Sequence, residues 1–399
     1  MSTQGRRSRQ ALQLAALIAV LGLLLAACSK ASDSSTANSG TSTGPIKIGF
    51  FAPESGWAAA DGDSSYTSAQ LAVKDINSVG GINGRDLQLV NYDDAADAKQ
   101  AVTIATRLVA QDKVDAVVSG SYSDGTLAAA SIFQRASVPM VAAYAVNPGI
   151  PATGNYIFQE DYNGDIQGKA GALTLVNDMG VKTIAIVAIK NDFGTSLVKG
   201  FTEQAKALGA TIVALDYNQF GEKEFAPILL RDKAKGAAGF YMVQYYAEGQ
   251  QFMKAWNDLG FKYPILGTEG IDSTTQFFQP VGAMADGLVF TTPFNRDSTS
   301  PVTQDYIKKF TAAYGHAPDM VGATTYDAFL LLAQAMKNAG TSPSQIRDGL
   351  AAISNFVGVT GITQKYIDGM AVKAVNVQII QGGVPHYMGV VSDPAIITP

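Results

Sequence analysis

The stretch "VDAVVSGSYSDGTLAAAS", residues 114–131, decides the fold class because it joins an apolar strand directly to a helical segment. The run "VDAVVS" is short and β-branched, as buried strands are, and residues 125–136 have helical spacing. A glycine- and serine-rich turn lies between them. Because N–H groups left free at a helix start attract anions, this turn predicts a site for phosphate, sulfate or carboxylate.

The same succession of strand and helix recurs along the chain in two series, and this alternation favours mostly parallel sheets covered by helices. The third and fourth strands end near residues 119 and 143 in the first series and near 243 and 267 in the second, with the same spacing. We therefore predict an α/β protein with two doubly wound lobes. The predicted strands are "IKIGFF", "DLQLVNY", "VDAVVS" and "VPMVAAY", then "KTIAIVAI", "ATIVALDY", "AAGFYMV" and "YPILG".

An additional helical block follows "DGLVFTTPF", with helices near 300–314, 319–338 and 343–353 and then a strand pair around 372–391. This order fits a chain that returns to the first lobe and then ends on the second. We predict lobe 1 from residues 46–162 and 294–360 and lobe 2 from residues 163–293 and 361–392. Several hinge strands would join the two lobes.

The N-terminus has the composition of a secretory signal, with three arginines before a long apolar run in residues 1–27. The run ends in "LAAC", which resembles the bacterial lipobox, so cleavage before Cys28 and lipid attachment to Cys28 are expected. A membrane anchor with a chance cysteine and a twin-arginine signal are the alternatives. Residues 28–45 are rich in Ser, Thr and Gly, which predicts a flexible tether. The expected location is extracytoplasmic, with the lipid holding the protein to the bacterial membrane.

Charge and composition exclude several classes of function. Loss of the signal would change the formal charge from -5 to -8, which argues against nucleic acid as a partner. Two histidines and a single cysteine provide neither an ordinary zinc cluster nor an internal disulfide. The chain has no phosphate-loop lysine, dinucleotide-binding glycine motif or nucleophile elbow. We therefore expect no enzyme activity, cofactor or metal.

The strand ends predict where a ligand binds, because open α/β sheets bind ligands beyond the carboxyl ends of strands where the strand order reverses. The candidate segments are "PESGWAAADG", "GSYSDGT" and "AYAVNP" in the first half and "KNDFGTS", "QYYAEG" and "GTEGID" in the second. Ser123 is also placed to cap a helix. Glu269 either meets a cation or is a solvated loop residue. Alternation along a strand indicates that only one of Tyr245 and Tyr246 faces the ligand.

The motifs "AVKDINSVGGINGRDLQLVNYDDAADAKQAV", "NPG", "DFG", "FAPILLRDKAKGAAGFYM" and "GTEG" resemble those of the extracytoplasmic solute-binding proteins of ABC importers. The leucine/isoleucine/valine-binding type is the most similar branch. The resemblance covers nearly all of residues 46–392. It implies the periplasmic binding protein type I fold, in which a monomer closes like a Venus flytrap on a small ligand and presents it to a membrane permease.

The resemblance also implies roles for individual residues. Ser123 would bind the ligand carboxylate, aided by N–H groups around Val146. Ala145 would offer its carbonyl to the ligand ammonium, Glu269 would pair with that ammonium, and Tyr245 would contact the ligand from the second lobe.

This sequence departs from the family pattern at several of these positions. Val146 and Phe193 replace hydroxyl-bearing residues that are common in amino-acid binders, and Tyr122 replaces one cysteine of a disulfide found in some relatives. Trp57 and Asp61 lie in the region where branched-chain binders place an apolar or aromatic residue. Asp61 is either a second acid in the pocket or a solvated loop residue.

Two questions stay open at this level. The same two-lobed module serves either transport or sensing. In sensing, it presents its ligand-dependent shape to a receptor. The ligand is a branched-chain or related amino acid, or else an amide, urea, a polyamine or an aromatic acid.

Overall fold

The computed structural model describes residues 44–399. The predicted signal peptide, the lipidation site Cys28 and all but the last two residues of the predicted tether lie outside the described residues. Within the described range there is no helix with the length and apolar character that crossing a membrane requires.

The first sheet has eight strands in the order β11-β12-β13-β5-β4-β3-β1-β2. Strands β1 to β5 are parallel, whereas β11 and β12 add an antiparallel hairpin at one edge. The strands are β1 (Ile46–Ala52), β2 (Leu87–Asp93), β3 (Ala116–Ser119), β4 (Met140–Ala142), β5 (Ile157–Gln159), β11 (Ser354–Gly358), β12 (Gly361–Ile367) and β13 (Met370–Val372).

The second sheet has seven strands in the order β15-β14-β10-β9-β8-β6-β7. Strands β6 to β10 are parallel, and β14 and β15 continue the sheet antiparallel. They are β6 (Thr183–Ile189), β7 (Thr211–Asn218), β8 (Gly239–Val243), β9 (Ile265–Gly267), β10 (Val289–Thr292), β14 (Val375–Gln381) and β15 (Val384–Val391).

Helices cover the sheets, so that each sheet lies between apolar clusters formed with its flanking helices. The helices are α1 (Ala59–Ser78), α2 (Ala98–Arg107), α3 (Ser123–Ala136), α4 (Gly164–Leu173), α5 (Asp192–Ala207), α6 (Ala226–Ala234), α7 (Tyr246–Asp258), α8 (Gln279–Val281), α9 (Pro301–Tyr314), α10 (Met320–Ala339), α11 (Pro343–Ala351) and α12 (Pro394–Ile397).

The two sheets repeat one topology. The first five strands of each half run 2-1-3-4-5, so the strand order reverses between β1 and β3 in the first sheet and between β6 and β8 in the second. The carboxyl ends of these strands are where the fold places a ligand. The predicted fold of two doubly wound α/β lobes is confirmed, and residues of α9 to α11 pack in an apolar cluster of the first sheet.

One predicted boundary needs correction. Residues 361–372 form β12 and β13 in the first sheet, so the second lobe does not begin again at residue 361. These strands escape sequence analysis because β13 has only three residues and the β11–β12 hairpin is an edge pair with many exposed side chains. The remaining lobe boundaries stay a prediction.

In the described residues the chain crosses between the sheets at 160–163, 293–300 and 373–374. A buried polar network joins two of these crossings. The Lys373 ammonium donates to Glu160 Oε1 over 2.6 Å and to the Thr360 hydroxyl over 2.7 Å, and that hydroxyl lies 2.6 Å from Asp327 Oδ2. These groups fix the hinge through charge and hydrogen bonding as well as through apolar packing.

Candidate ligand-binding site

A small cavity lies where the carboxyl ends of the strands of the two sheets face each other. Both halves of the chain and the returning helical block contribute to its wall. The lining residues are Asp61, Tyr122, Ser123, Tyr144, Phe193, Tyr245, Tyr246, Glu269, Gly270, Asp272, Ser273, Met320 and Val321.

The glycine- and serine-rich turn forms part of this wall. Tyr122 is extended, and Ser123 is the first residue of α3, two positions earlier than the sequence predicts. Gly120 at the end of β3 is required by close packing, because a Cβ there would lie 2.2 Å from Ser65 Oγ on α1. The turn thus brings Ser123, at a helix start that favours an anion, into the cavity.

Glu269 enters the cavity from the second lobe, in the short turn Glu269–Ile271 that follows β9. It is only 2% exposed, and neither carboxyl oxygen has a hydrogen-bond partner of normal geometry. Burial, reinforced by the nearby Asp161 and Asp272 carboxyls, raises the pKa of Glu269 well above its usual range. A cationic ligand group would relieve this cost.

Asp61 lies in the first turn of α1 and not in a solvated loop. It is 6% exposed, and the Tyr122 hydroxyl donates a hydrogen bond of 2.5 Å to its Oδ2 atom. Burial and the nearby Asp319 carboxyl raise the pKa of Asp61 to about 8. The cavity therefore contains a second acid, contributed by the first lobe.

Aromatic side chains line much of the second-lobe wall. Tyr245 caps α7 and Tyr246 is its first residue, so strand alternation does not apply and both side chains reach the cavity. The expectation that only one of the pair faces inward was therefore wrong. Phe193, at the start of α5, stacks on Tyr245 with ring centroids 4.8 Å apart.

Trp57 lies beside the cavity and joins the two lobes. It is 37% exposed, and its ring packs 4.9 Å from Tyr122 and 5.5 Å from Tyr245. Its backbone carbonyl accepts a 2.8 Å hydrogen bond from the Tyr246 hydroxyl. Trp57 therefore covers the aromatic wall and holds the lobes together across the cleft.

The structure does not bring Ala145 and Val146 into this lining. The Ala145 carbonyl accepts a 2.8 Å hydrogen bond from Gln159 Nε2, and Val146 packs in an apolar cluster of the second lobe. Their predicted ligand contacts therefore stay predictions.

Sequence analysis assigns no role to several lining residues. Tyr144 is the last residue of the predicted strand "VPMVAAY" and lies in the candidate segment "AYAVNP". Its hydroxyl donates to the Gly120 carbonyl over 2.6 Å. Asp272 is already paired with Arg296, whose guanidinium donates to both of its oxygens. Met320 and Val321 begin α10, which reaches the cavity only because the chain returns to the first lobe. The helix-capping signal of Asp319 was available in the sequence, but nothing local placed that helix end near the cavity.

Within residues 44–399 there is no group of three or more His, Cys, Asp or Glu side chains placed to hold a metal ion. The polar groups of the cavity include a hydroxyl at a helix start on one lobe and a carboxyl group on the other.

Comparison with known proteins identifies the family. The sequence profile for the family described as periplasmic binding protein matches residues 45–383. The Leu/Ile/Val-binding protein of Citrobacter freundii is 31% identical over 310 residues, which cover 77% of this chain and 83% of that protein.

Solved structures give the same result. The branched-chain amino acid transporter substrate binding protein LivJ of Streptococcus pneumoniae, in complex with isoleucine, is 30% identical with a TM-score of 0.81, covering 87% of this chain and 99% of LivJ. The leucine binding protein LivK of Thermotoga maritima shares the fold, with a TM-score of 0.81 at 24% identity over 88% of this chain and 99% of LivK. These are binding proteins, which confirms that the chain is not an enzyme. The chain therefore belongs to the periplasmic binding protein family, the extracytoplasmic solute-binding proteins of ABC transporters, and is a homologue of the Leu/Ile/Val-binding proteins.

Proposed function

We propose that this chain is the lipid-anchored solute-binding component of an ABC importer, and that it binds a branched-chain or related amino acid between its lobes. The observation that carries the proposal is that two groups line the same cavity from opposite lobes. One is Ser123 at the start of α3, and the other is the Glu269 carboxyl, which has no hydrogen-bond partner. A zwitterion complements both ends, because its carboxylate suits the helix start and its ammonium suits the buried acid. The Leu/Ile/Val-binding relatives support an amino-acid ligand.

The mechanism follows from the position of the site. A ligand that contacts both lobes binds the closed form more tightly than the open form, so it shifts the population toward closure. The closed protein then presents the ligand to the permease. No bond in the ligand is made or broken.

Isothermal titration calorimetry tests this function. The protein is first unfolded, dialysed and refolded, and ligand binding to the refolded protein is then measured. We expect binding of at least one L-amino acid, with markedly weaker binding of its methyl ester and of its N-acetyl derivative, because each derivative removes one of the two charges. Amides, urea, polyamines and aromatic acids form the comparison panel. Binding confined to that panel would contradict the amino-acid assignment.

The anchor requires its own test. We expect the full-length protein to partition into the detergent phase of Triton X-114 when it is expressed in a bacterium that processes lipoproteins. Cys28→Ser removes the acceptor thiol and should abolish lipid labelling by radioactive palmitate. Wild-type protein found unlabelled in the aqueous phase would contradict lipidation.

A further inference from the structure

Asp61 provides the cavity with a second acid for which the proposed zwitterion has no partner. One of its oxygens accepts from Tyr122, but the other, Oδ1, is buried without a hydrogen-bond partner. If Asp61 were simply a neutral structural acid with its proton on Oδ1, that proton would have no acceptor. A buried carboxyl left in this state costs free energy unless a ligand completes its hydrogen bonding.

The two other acids that act on Asp61 already have hydrogen-bond partners and so do not compete for the same ligand group. Asp272 is bound by Arg296. Asp319 accepts a hydrogen bond of 2.6 Å from the Ser64 hydroxyl and one of 3.0 Å from the Gly322 amide. Among the described cavity-lining residues, Asp61 and Glu269 are therefore the acids with unpartnered oxygens.

The two acids enter the cavity from different lobes. Asp61 lies in the first turn of α1 in the first lobe, whereas Glu269 follows β9 in the second lobe. In the proposed binding mode the α-ammonium pairs with Glu269, which leaves Asp61 without a cationic partner. The aromatic rings of Tyr122, Tyr245 and Tyr246 also line the cavity and favour a cation.

We propose that the ligand is an amino acid with a second cationic group at the end of its side chain, and that Asp61 binds this group. The inference rests on the proposed function, in which Ser123 and Glu269 hold the α-carboxylate and α-ammonium. An aliphatic side chain would leave Asp61 Oδ1 buried and unpaired, whereas an ammonium or guanidinium satisfies it. Asp61 is thus a specificity-determining residue.

Calorimetric titration with matched ligand pairs tests the assignment directly. L-Norleucine is L-lysine without the ε-amino group, and L-norvaline is L-ornithine without the δ-amino group. We expect at least one of the two dibasic ligands to bind 10-fold or more tightly than its deaminated partner. Asp61→Asn should remove that preference by weakening the dibasic ligand alone, while Asp63→Asn, an exposed change on the same helix, should preserve it.

Proton release provides a second readout. Burial raises the pKa of Asp61 to about 8, and the surrounding groups Tyr122, Tyr144, Tyr246, Asp319 and Asp272 include no cation. Binding a cation stabilises the ionised carboxylate, so at pH 7 it should release a proton, and affinity for the dibasic ligand should rise between pH 6 and pH 8. Titrations in buffers of different ionisation enthalpy measure this release, which Asp61→Asn should reduce.

The outcomes separate this inference from the proposed function. Leucine, norleucine or norvaline binding as tightly as the dibasic ligands would overturn the role of Asp61 and leave the amino-acid function intact. If Asp61→Asn kept the wild-type preference for dibasic ligands, the role of Asp61 would likewise be overturned and the amino-acid function would stand. Cadaverine binding as tightly as lysine would show that the α-carboxylate is not recognised and would overturn both, as would a complete absence of amino-acid binding.

Discussion

Glu269→Gln is expected to weaken binding of every amino acid that the wild-type protein binds by about 30-fold or more. The substitution keeps the shape of the side chain and removes its negative charge, so the ligand ammonium would be buried without its ionic partner. Truncating one partner of a buried charge pair costs about 2–5 kcal/mol, which corresponds to this range. Titration calorimetry of wild-type and variant protein measures the change.

Although Glu269→Gln weakens ligand binding, it should make the ligand-free protein less sensitive to rising pH. Because burial raises the pKa of Glu269, the folded state holds a proton that the unfolded state loses, and stability falls as pH rises from the ordinary carboxyl range toward the raised pKa. Glu269→Gln removes this contribution, so its melting temperature should decline less steeply between pH 5 and pH 8 than that of the wild type.

Glu248→Gln is the matched control for these measurements. Glu248 is also buried in the second lobe, but it accepts a hydrogen bond from the Gly221 amide over 2.8 Å and does not line the cavity. Its substitution should lower stability and leave ligand affinity unchanged. Equal losses of affinity in both variants would indicate a general structural effect and would contradict the role of Glu269 in the site.

Lys373→Met is expected to destabilise the fold by about 3–5 kcal/mol, because it leaves the Glu160 carboxylate buried without its cation. Lys373 is 1% exposed in a crossing between the lobes. Burial alone disfavours its ammonium, but the Glu160, Asp161 and Asp327 carboxyls outweigh burial and raise the pKa of Lys373. Chemical denaturation monitored by circular dichroism measures the loss.

A double substitution tests the cause of this loss. Lys373→Met combined with Glu160→Gln removes both charges and should recover part of the stability, since the uncompensated carboxylate is then absent. Lys254→Met breaks an exposed pair with Asp258 and should leave the denaturation midpoint unchanged. If Lys373→Met behaved like Lys254→Met, the buried network would not be holding the hinge.

Local pattern was sufficient to predict the sheets and most of the cavity. Strand and helix periods depend on neighbouring residues, and the parallel sheets then bring the carboxyl ends of β1, β3, β6 and β8 to facing edges. Strand direction alone therefore predicts that the residues just beyond the strand ends lie close together, and these include Tyr122, Ser123, Phe193, Tyr245 and Glu269. Their contacts with a ligand remain predictions.

The features that the sequence did not predict depend on packing between residues that are far apart in the chain. Asp61 was ambiguous because its exposure depends on how α1 packs against the other elements, and the α10 residues Met320 and Val321 reach the cavity only through the returning chain. The short strand β13 has too few residues for a periodic signal, and its pairing with β5 moves residues 361–372 into the first lobe.

Periodicity and strand direction predict the two doubly wound units, the ends of their strands, and the acid and hydroxyl that follow those ends. Packing between distant elements instead determines that Asp61 is buried with one unpartnered oxygen, that Tyr245 and Tyr246 both line the cavity, and that Lys373 contacts Glu160 at the hinge. Each of these depends on burial and on contacts between residues far apart in the chain, which no local pattern contains.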